Sequence, residues 1–88
     1  MKEETPWFIY IIRCSDNTLY TGIAKNIEKR IEAHNTGNGG AKYTRTRRPV
    51  FPVYQETFST RSEAAKREYQ LKKMTRVEKE MLVESIGP

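Results

Sequence analysis

Phe8–His34, FIYIIRCSDNTLYTGIAKNIEKRIEAH, is the stretch whose reading decides the fold. Trp7 to Arg13 is rich in β-branched and aromatic residues and apolar on both faces, the pattern of a central strand. Ser15, Asp16 and Asn17 supply turn chemistry, and Thr18 to Ile23 follows as the partner strand of a hairpin. Tyr10 and Tyr20 are an even number of residues apart, so an even pairing register brings them to one face, although the sequence does not set that register. Gly22 lacks a side chain just where another group could need close approach to the backbone.

Asn26 is placed to cap a helix running to about Asn35, which the Asn-Thr-Gly-Asn-Gly-Gly run ends. At about 100° per residue from Ile27, Arg30 falls near about 300°, Ile31 near about 40° and His34 near about 340°. Both polar residues thus lie in the arc of the isoleucines, while Glu28, Lys29 and Glu32 face away. Arg30 is either a snorkelling arginine with a buried stem or a group aimed at a site.

The 88 residues allow one domain, 1–88, with a modest core. The single cysteine, Cys14, leaves no internal disulfide and no multi-cysteine zinc site, and a lone thiol at a strand end suits a small core filler. No segment approaches a membrane span and the first residues lack an apolar leader, so a cytoplasmic location is the expectation. Sixteen basic against eleven acidic residues give +5, which favours polyanionic partners. Between Gly39 and Val50 stand Lys42, Tyr43, Arg45, Arg47 and Arg48 without a carboxylate, a pattern suited to phosphate contact and base stacking; the plainer reading is a solvated basic loop.

Val50 to Phe58 reads as a third strand, with Pro52 marking an edge or irregular first half. Thr60 and Glu63 form a capping box for a helix to about Lys73, and Thr75 and Glu78 repeat it before a short last helix over residues 81–86. Glu68 falls among Ala64, Leu71 and Ala65 in the apolar arc of its helix, where a carboxylate is costly unless paired or bound to metal. An i,i+4 pair with Lys72 is the plainer alternative.

Tyrosines from the hairpin, Arg30 from one helix and Glu68 from another suggest phosphodiester hydrolysis. The arginine clamps the phosphate, and the carboxylate holds one Mg²⁺ or Mn²⁺ that binds weakly without substrate. A phenol with an ordinary pKa of about 10 must fall by about two to three units to act as a base near neutrality, which asks about 3 to 4 kcal/mol of neighbouring positive charge. Without that charge the tyrosine is a hydrogen-bonding core residue.

Phe8-Ile9-Tyr10, then Tyr20-Thr21-Gly22, then Arg30, then Glu68 in EAAKREYQLKK, resembles the GIY-YIG nuclease superfamily along nearly the whole chain, most closely its small stand-alone bacterial members. The resemblance implies an α+β fold, a three-stranded antiparallel sheet flanked by helices, and a metal-dependent endonuclease. It implies that Tyr10 or Tyr20 is the general base, Tyr10 being favoured, that Arg30 is the catalytic arginine, and that Glu68 binds the metal. His34 stands where the family often has a histidine or tyrosine near the phosphate. Phe8 and Thr21 depart from the name motif, Ile23 stands where some relatives have a lysine, and no asparagine follows the last basic run. The expected substrate is structured, branched or damaged DNA, with RNA an open alternative and a protein partner a possible source of specificity. The competing function is a nucleic-acid-binding module without useful catalysis.

Overall fold

A computed structural model of the chain describes residues 6–37 and 41–85. Three strands, β1 (Trp7–Arg13), β2 (Leu19–Ala24) and β3 (Phe51–Phe58), form one antiparallel sheet in the order β2-β1-β3. Three helices, α1 (Ile27–Thr36), α2 (Arg61–Lys72) and α3 (Arg76–Glu84), complete the described fold. The fold is therefore α+β, as expected.

β1 is central because it is apolar on both faces. Tyr10 and Ile12 are buried on one side with Cys14, Ala24 and Val50, and Ile27 and Ile31 of α1 pack against them. Ile9 and Ile11 are buried on the other side with Tyr54 and Leu71, against Met74, Leu82 and Val83. The sheet is thus sandwiched, α1 on one face and α2 with α3 on the other. The pairing of Tyr10 with Gly22 and of Ile12 with Tyr20 is the even register, so both tyrosines belong to the α1 face. Pro52 lies opposite Ile12, next to an irregularity between Ile11 and Ile12, where an edge strand tolerates a residue that cannot donate.

The helix ends follow the local chemistry. Asn26 accepts from the Lys29 amide at 3.0 Å, and Gly37, at φ 81°, turns the chain out of α1 while its N–H reaches Ala33. The Asn35 side chain exchanges two hydrogen bonds with the Val50 backbone, at 2.7 and 3.1 Å, and so joins the end of α1 to the start of β3. Both capping boxes are present. The second starts α3 at Arg76, five residues earlier than the sequence reading placed the last helix, because a box fixes the turn that follows it directly. Residue 86 lies outside the described residues. Two forked ion pairs that no local pattern announces tie helix to sheet: Arg13 with Glu80, at 2.7 and 3.0 Å, and Arg67 with Glu56, at 2.9 Å.

Candidate active site

The site is built around the Tyr10 hydroxyl. Tyr10 leaves the central strand and its ring crosses over Gly22 of the neighbouring strand; a β-carbon at Gly22 would stand 2.5 Å from Oη and 2.6 Å from Cζ. The glycine is what lets the hydroxyl reach the α1 side chains. There it meets His34 Nε2 at 2.9 Å and the Nε–H of Arg30 at 3.3 Å.

His34 is 1% exposed and held at both ring nitrogens. Its Nδ1 lies 2.8 Å from Thr44 Oγ1 and 3.3 Å from the Ala41 amide nitrogen. A backbone N–H can only donate, so we assign Nδ1 as the acceptor, with the single Thr44 hydroxyl proton turned toward it rather than toward the Ala41 carbonyl 2.9 Å away, and place the proton of the neutral ring on Nε2, facing Tyr10. Burial, aided by the Arg30 charge, holds the His34 pKa below its ordinary value, which keeps the ring neutral. The Tyr10 oxygen then accepts from Nε2–H and from Arg30. Thr44, fully buried in a 3-10 turn over Lys42–Thr44, is a residue of this cluster that sequence reasoning missed. A threonine in a basic loop gives no signal of its own.

Burial raises the Tyr10 pKa; the Arg30 hydrogen bond and charge work the other way without overcoming it, and Tyr20 and Glu68 add to the rise. The fall that base catalysis needs is therefore not present in the protein by itself. The same influences show which groups act on one oxygen: Arg30, Tyr20 and Glu68, from three different elements.

Glu68 was expected within the apolar arc. It lies instead on the flank of α2, its side chain 23% exposed, paired with the more exposed Lys72 at 3.2 Å. Ala64 and Leu71 take the buried positions, so the carboxylate keeps contact with solvent. The plainer i,i+4 pair is thus formed. Thr21, which replaces the central residue of the name motif, is buried toward α2, and its hydroxyl has no partner among the described residues.

A row of rings leads outward from His34. Tyr20 meets it edge-on at 5.5 Å and stacks on Tyr43 at 5.7 Å, and the Arg47 guanidinium lies 4.0 Å from the Tyr43 ring centre. The expectation of four unopposed cations in this loop is corrected. Asp16 of the hairpin turn binds Arg47 at 3.0 Å, and Arg47 also reaches the Tyr43 carbonyl at 2.8 Å. Arg48 reaches the carbonyls of Arg45 and Asn35 at 3.1 and 3.2 Å. These two arginines hold the loop against the domain, while Lys42 and Arg45 are exposed beside the rings.

The family model described as the GIY-YIG catalytic domain matches residues 6–81. The chain belongs to this family. It is 57% identical over 76 residues to a UPF0213 protein of Staphylococcus aureus, covering 86% of this chain and 92% of that one. It is 54% identical over 79 residues to a UPF0213 protein of Desulfotalea psychrophila, covering 90% and 72%. The solution NMR structure of a UPF0213 protein from Bacillus halodurans superposes with a TM-score of 0.61 at 39% identity, over 93% of this chain and 86% of that one. A protein of E. faecalis, also solved by NMR, gives a TM-score of 0.63 at 39% identity, over 97% and 90%. Membership places the chain in the GIY-YIG nuclease superfamily, whose members generally use a divalent metal.

Among the described residues no three His, Cys, Asp or Glu side chains cluster as a metal cage, and no helix is long and apolar enough to cross a membrane. One partly exposed carboxylate is nevertheless a sufficient protein ligand for Mg²⁺ or Mn²⁺, ions that take their remaining ligands from water and substrate phosphate. Glu68 fits that requirement.

Proposed function

We propose that this GIY-YIG domain is an endonuclease that hydrolyses phosphodiester bonds in DNA. The observation that carries the reading is the convergence of Arg30 and His34 on the Tyr10 hydroxyl, within the electrostatic reach of Glu68. Arg30 belongs at the scissile phosphate, where its charge offsets the negative charge that develops during attack. Glu68 would hold the divalent ion, which supplies Lewis-acid polarisation of the phosphate and lowers the pKa of nearby acids.

Tyr10 is the preferred proton acceptor. As a neutral phenol already accepting two hydrogen bonds it has no capacity for the proton of an attacking water; as a phenolate it has, and its two donors stabilise that form. Tyr20 packs against His34 and helps to fix the ring that orients Tyr10. Lys42 and Arg45, beside the stacked rings, are placed to meet neighbouring phosphates. Contacts to backbone and rings read shape and strandedness more than base sequence, which favours branched, flapped or damaged DNA as the substrate and repair or recombination as the setting.

The test is incubation of purified protein with single-stranded, flapped and branched DNA, with Mg²⁺, Mn²⁺ or chelator. Metal-dependent cleavage that disappears in both Arg30→Ala and Glu68→Ala supports the reading. The Glu68–Lys72 pair favours the alternative, a binding module in which the acid only neutralises its neighbour. Tight binding with no cleavage of any substrate in either metal would establish that alternative.

A further inference from the structure

The outward face of α2 carries a second cationic surface that adjoins the site. Counted from Arg61 at about 100° per residue, the core positions Leu71 and Ala64 lie near about 280° and about 300°, with Glu68 near about 340°. Continuing past Glu68, away from the sheet, come Arg61, Lys72, Ala65, Tyr69, Ser62, Lys73 and Lys66, with no carboxylate until Glu63 near about 200°. Glu63 is engaged in the capping box. On the opposite flank, Arg67 is closed off by Glu56.

Aromatic rings punctuate this arc. Trp7, at the start of β1, has Lys25 at 5.0 Å and Arg61 at 5.6 Å from its ring centre. Tyr69 is 63% exposed with Lys73 4.4 Å from its ring centre. A shallow groove lined by Arg61, Ser62, Ala65, Lys66, Tyr69 and Gln70 runs along the helix. Lys72 is paired with Glu68, but Lys66 and Lys73 form no ion pair among the described residues, and an exposed ring beside them suits a polyanion that also carries flat apolar faces.

We infer that this arc is a second nucleic-acid contact, taking the strand on the far side of the scissile phosphate from the basic loop, with Tyr69 as a stacking platform. The inference rests on the proposed nuclease reading, since it runs one strand past Glu68 from Lys42 and Arg45 toward Lys66 and Lys73. Two cationic surfaces on either side of one acid give the strand a direction across the site, which a single loop does not.

The experiment measures binding in chelator, so that it is independent of cleavage. Fluorescence anisotropy with a 20-nucleotide single-stranded DNA is recorded at several salt concentrations for the full chain, for Lys66→Gln with Lys73→Gln, for Tyr69→Ala, and for Lys42→Gln with Arg45→Gln in the loop. Losing two phosphate contacts lowers the magnitude of the log affinity against log salt slope by about 1.4 on a single strand. Tyr69→Ala weakens binding about fivefold or more without changing that slope. These positions are exposed, so thermal unfolding of each variant should match the parent. The inference is overturned if both α2 variants bind like the parent while the loop variant weakens. It is overturned in favour of an acidic protein partner if poly-glutamate binds more tightly than DNA and depends on Lys66 and Lys73. If the parent binds no DNA at all, the nuclease reading itself fails, an outcome distinct from either of the others.

Discussion

Gly22→Ala is the sharpest test of the site's construction. The glycine has no unusual backbone angle to protect, so the effect of a methyl group there is purely steric. The new β-carbon would lie 2.5 Å from Tyr10 Oη and 2.6 Å from Cζ, about 0.9 Å short of an ordinary contact of about 3.4 Å. The hydroxyl must move by about that distance, yet its partner His34 is buried and held at Nδ1, so the ring cannot follow, and the 2.9 Å bond between them is lost or badly bent. Overpacking of this kind costs about 1–3 kcal/mol, and each kcal/mol lowers the melting temperature of a domain this size by about 4–8 °C. A misplacement near 1 Å in a catalytic group costs about 10²-fold in rate. Calorimetry, the ring signals of His34 by NMR and single-turnover cleavage together measure the change. Tyr10→Phe in the same chain removes the nearest clashing atom but leaves the 2.6 Å contact, so stability returns only in part. If Gly22→Ala melts within about 1 °C of the parent with the His34 signals unmoved, then Tyr10 does not cross Gly22 and the site as described is wrong.

Three further expectations can be checked alongside. Because the Tyr10 pKa is raised by burial, the phenolate is scarce in the free protein near neutrality; kcat/KM for cleavage should rise about tenfold per pH unit from about 7 to 9, and a flat profile would remove Tyr10 as the base. His34, the single histidine, has a folded pKa below its unfolded value of about 6.5, so its unfolded form binds more protons: the stability it confers is full above about pH 6.5 and is lost as pH falls toward the folded pKa. Melting temperature should therefore begin to fall below about pH 6.5, ahead of the loss from Glu56 and Glu80, whose lowered pKa values act only below about 4.3; a His34→Gln variant should lack the first phase, and a decline unchanged in that variant would assign it elsewhere. Thr21→Val replaces a buried hydroxyl that has no partner among the described residues by a methyl group and should stabilise the chain by about 1 kcal/mol; a clear loss of stability would mean that the hydroxyl is satisfied by bound water.

Much of this was legible because it depends on short-range rules. Asn26, Gly37 and the two capping boxes act within four residues, and β1 declares its central place by being apolar on both faces. Arg30 and His34 were legible as anomalies, polar groups on a face otherwise made of isoleucine. What the sequence could not display were partners distant along the chain. Asp16 answers Arg47 across 31 positions, Glu80 answers Arg13 across 67, and Thr44 reaches His34 from a loop whose position is set only once α1 has ended. Glu68 was misplaced for a related reason: a helical wheel gives direction around an axis, but how far α2 tilts its flank toward solvent is decided by Ala64 and Leu71 packing on the sheet.

The electrostatics of the site describe a resting state. Glu68 is neutralised by Lys72, Tyr10 is a buried phenol held by two donors, and His34 is neutral. On the proposed reading, a substrate phosphate competes for Arg30 and Lys72 and draws the lysine away from Glu68, which frees the acid for a cation at the moment when negative charge is present to share it. Positive charge at Glu68 then opposes the influence by which that carboxylate raises the Tyr10 pKa. Substrate and ion would therefore bind cooperatively, each improving the other's affinity by the same factor. Lys72→Gln separates this from mere neutralisation: Mg²⁺ affinity without DNA should rise, because the competing cation is gone, while the gain in Mg²⁺ affinity on adding DNA should shrink. An unchanged gain would mean that the Lys72 pair takes no part in coupling the two.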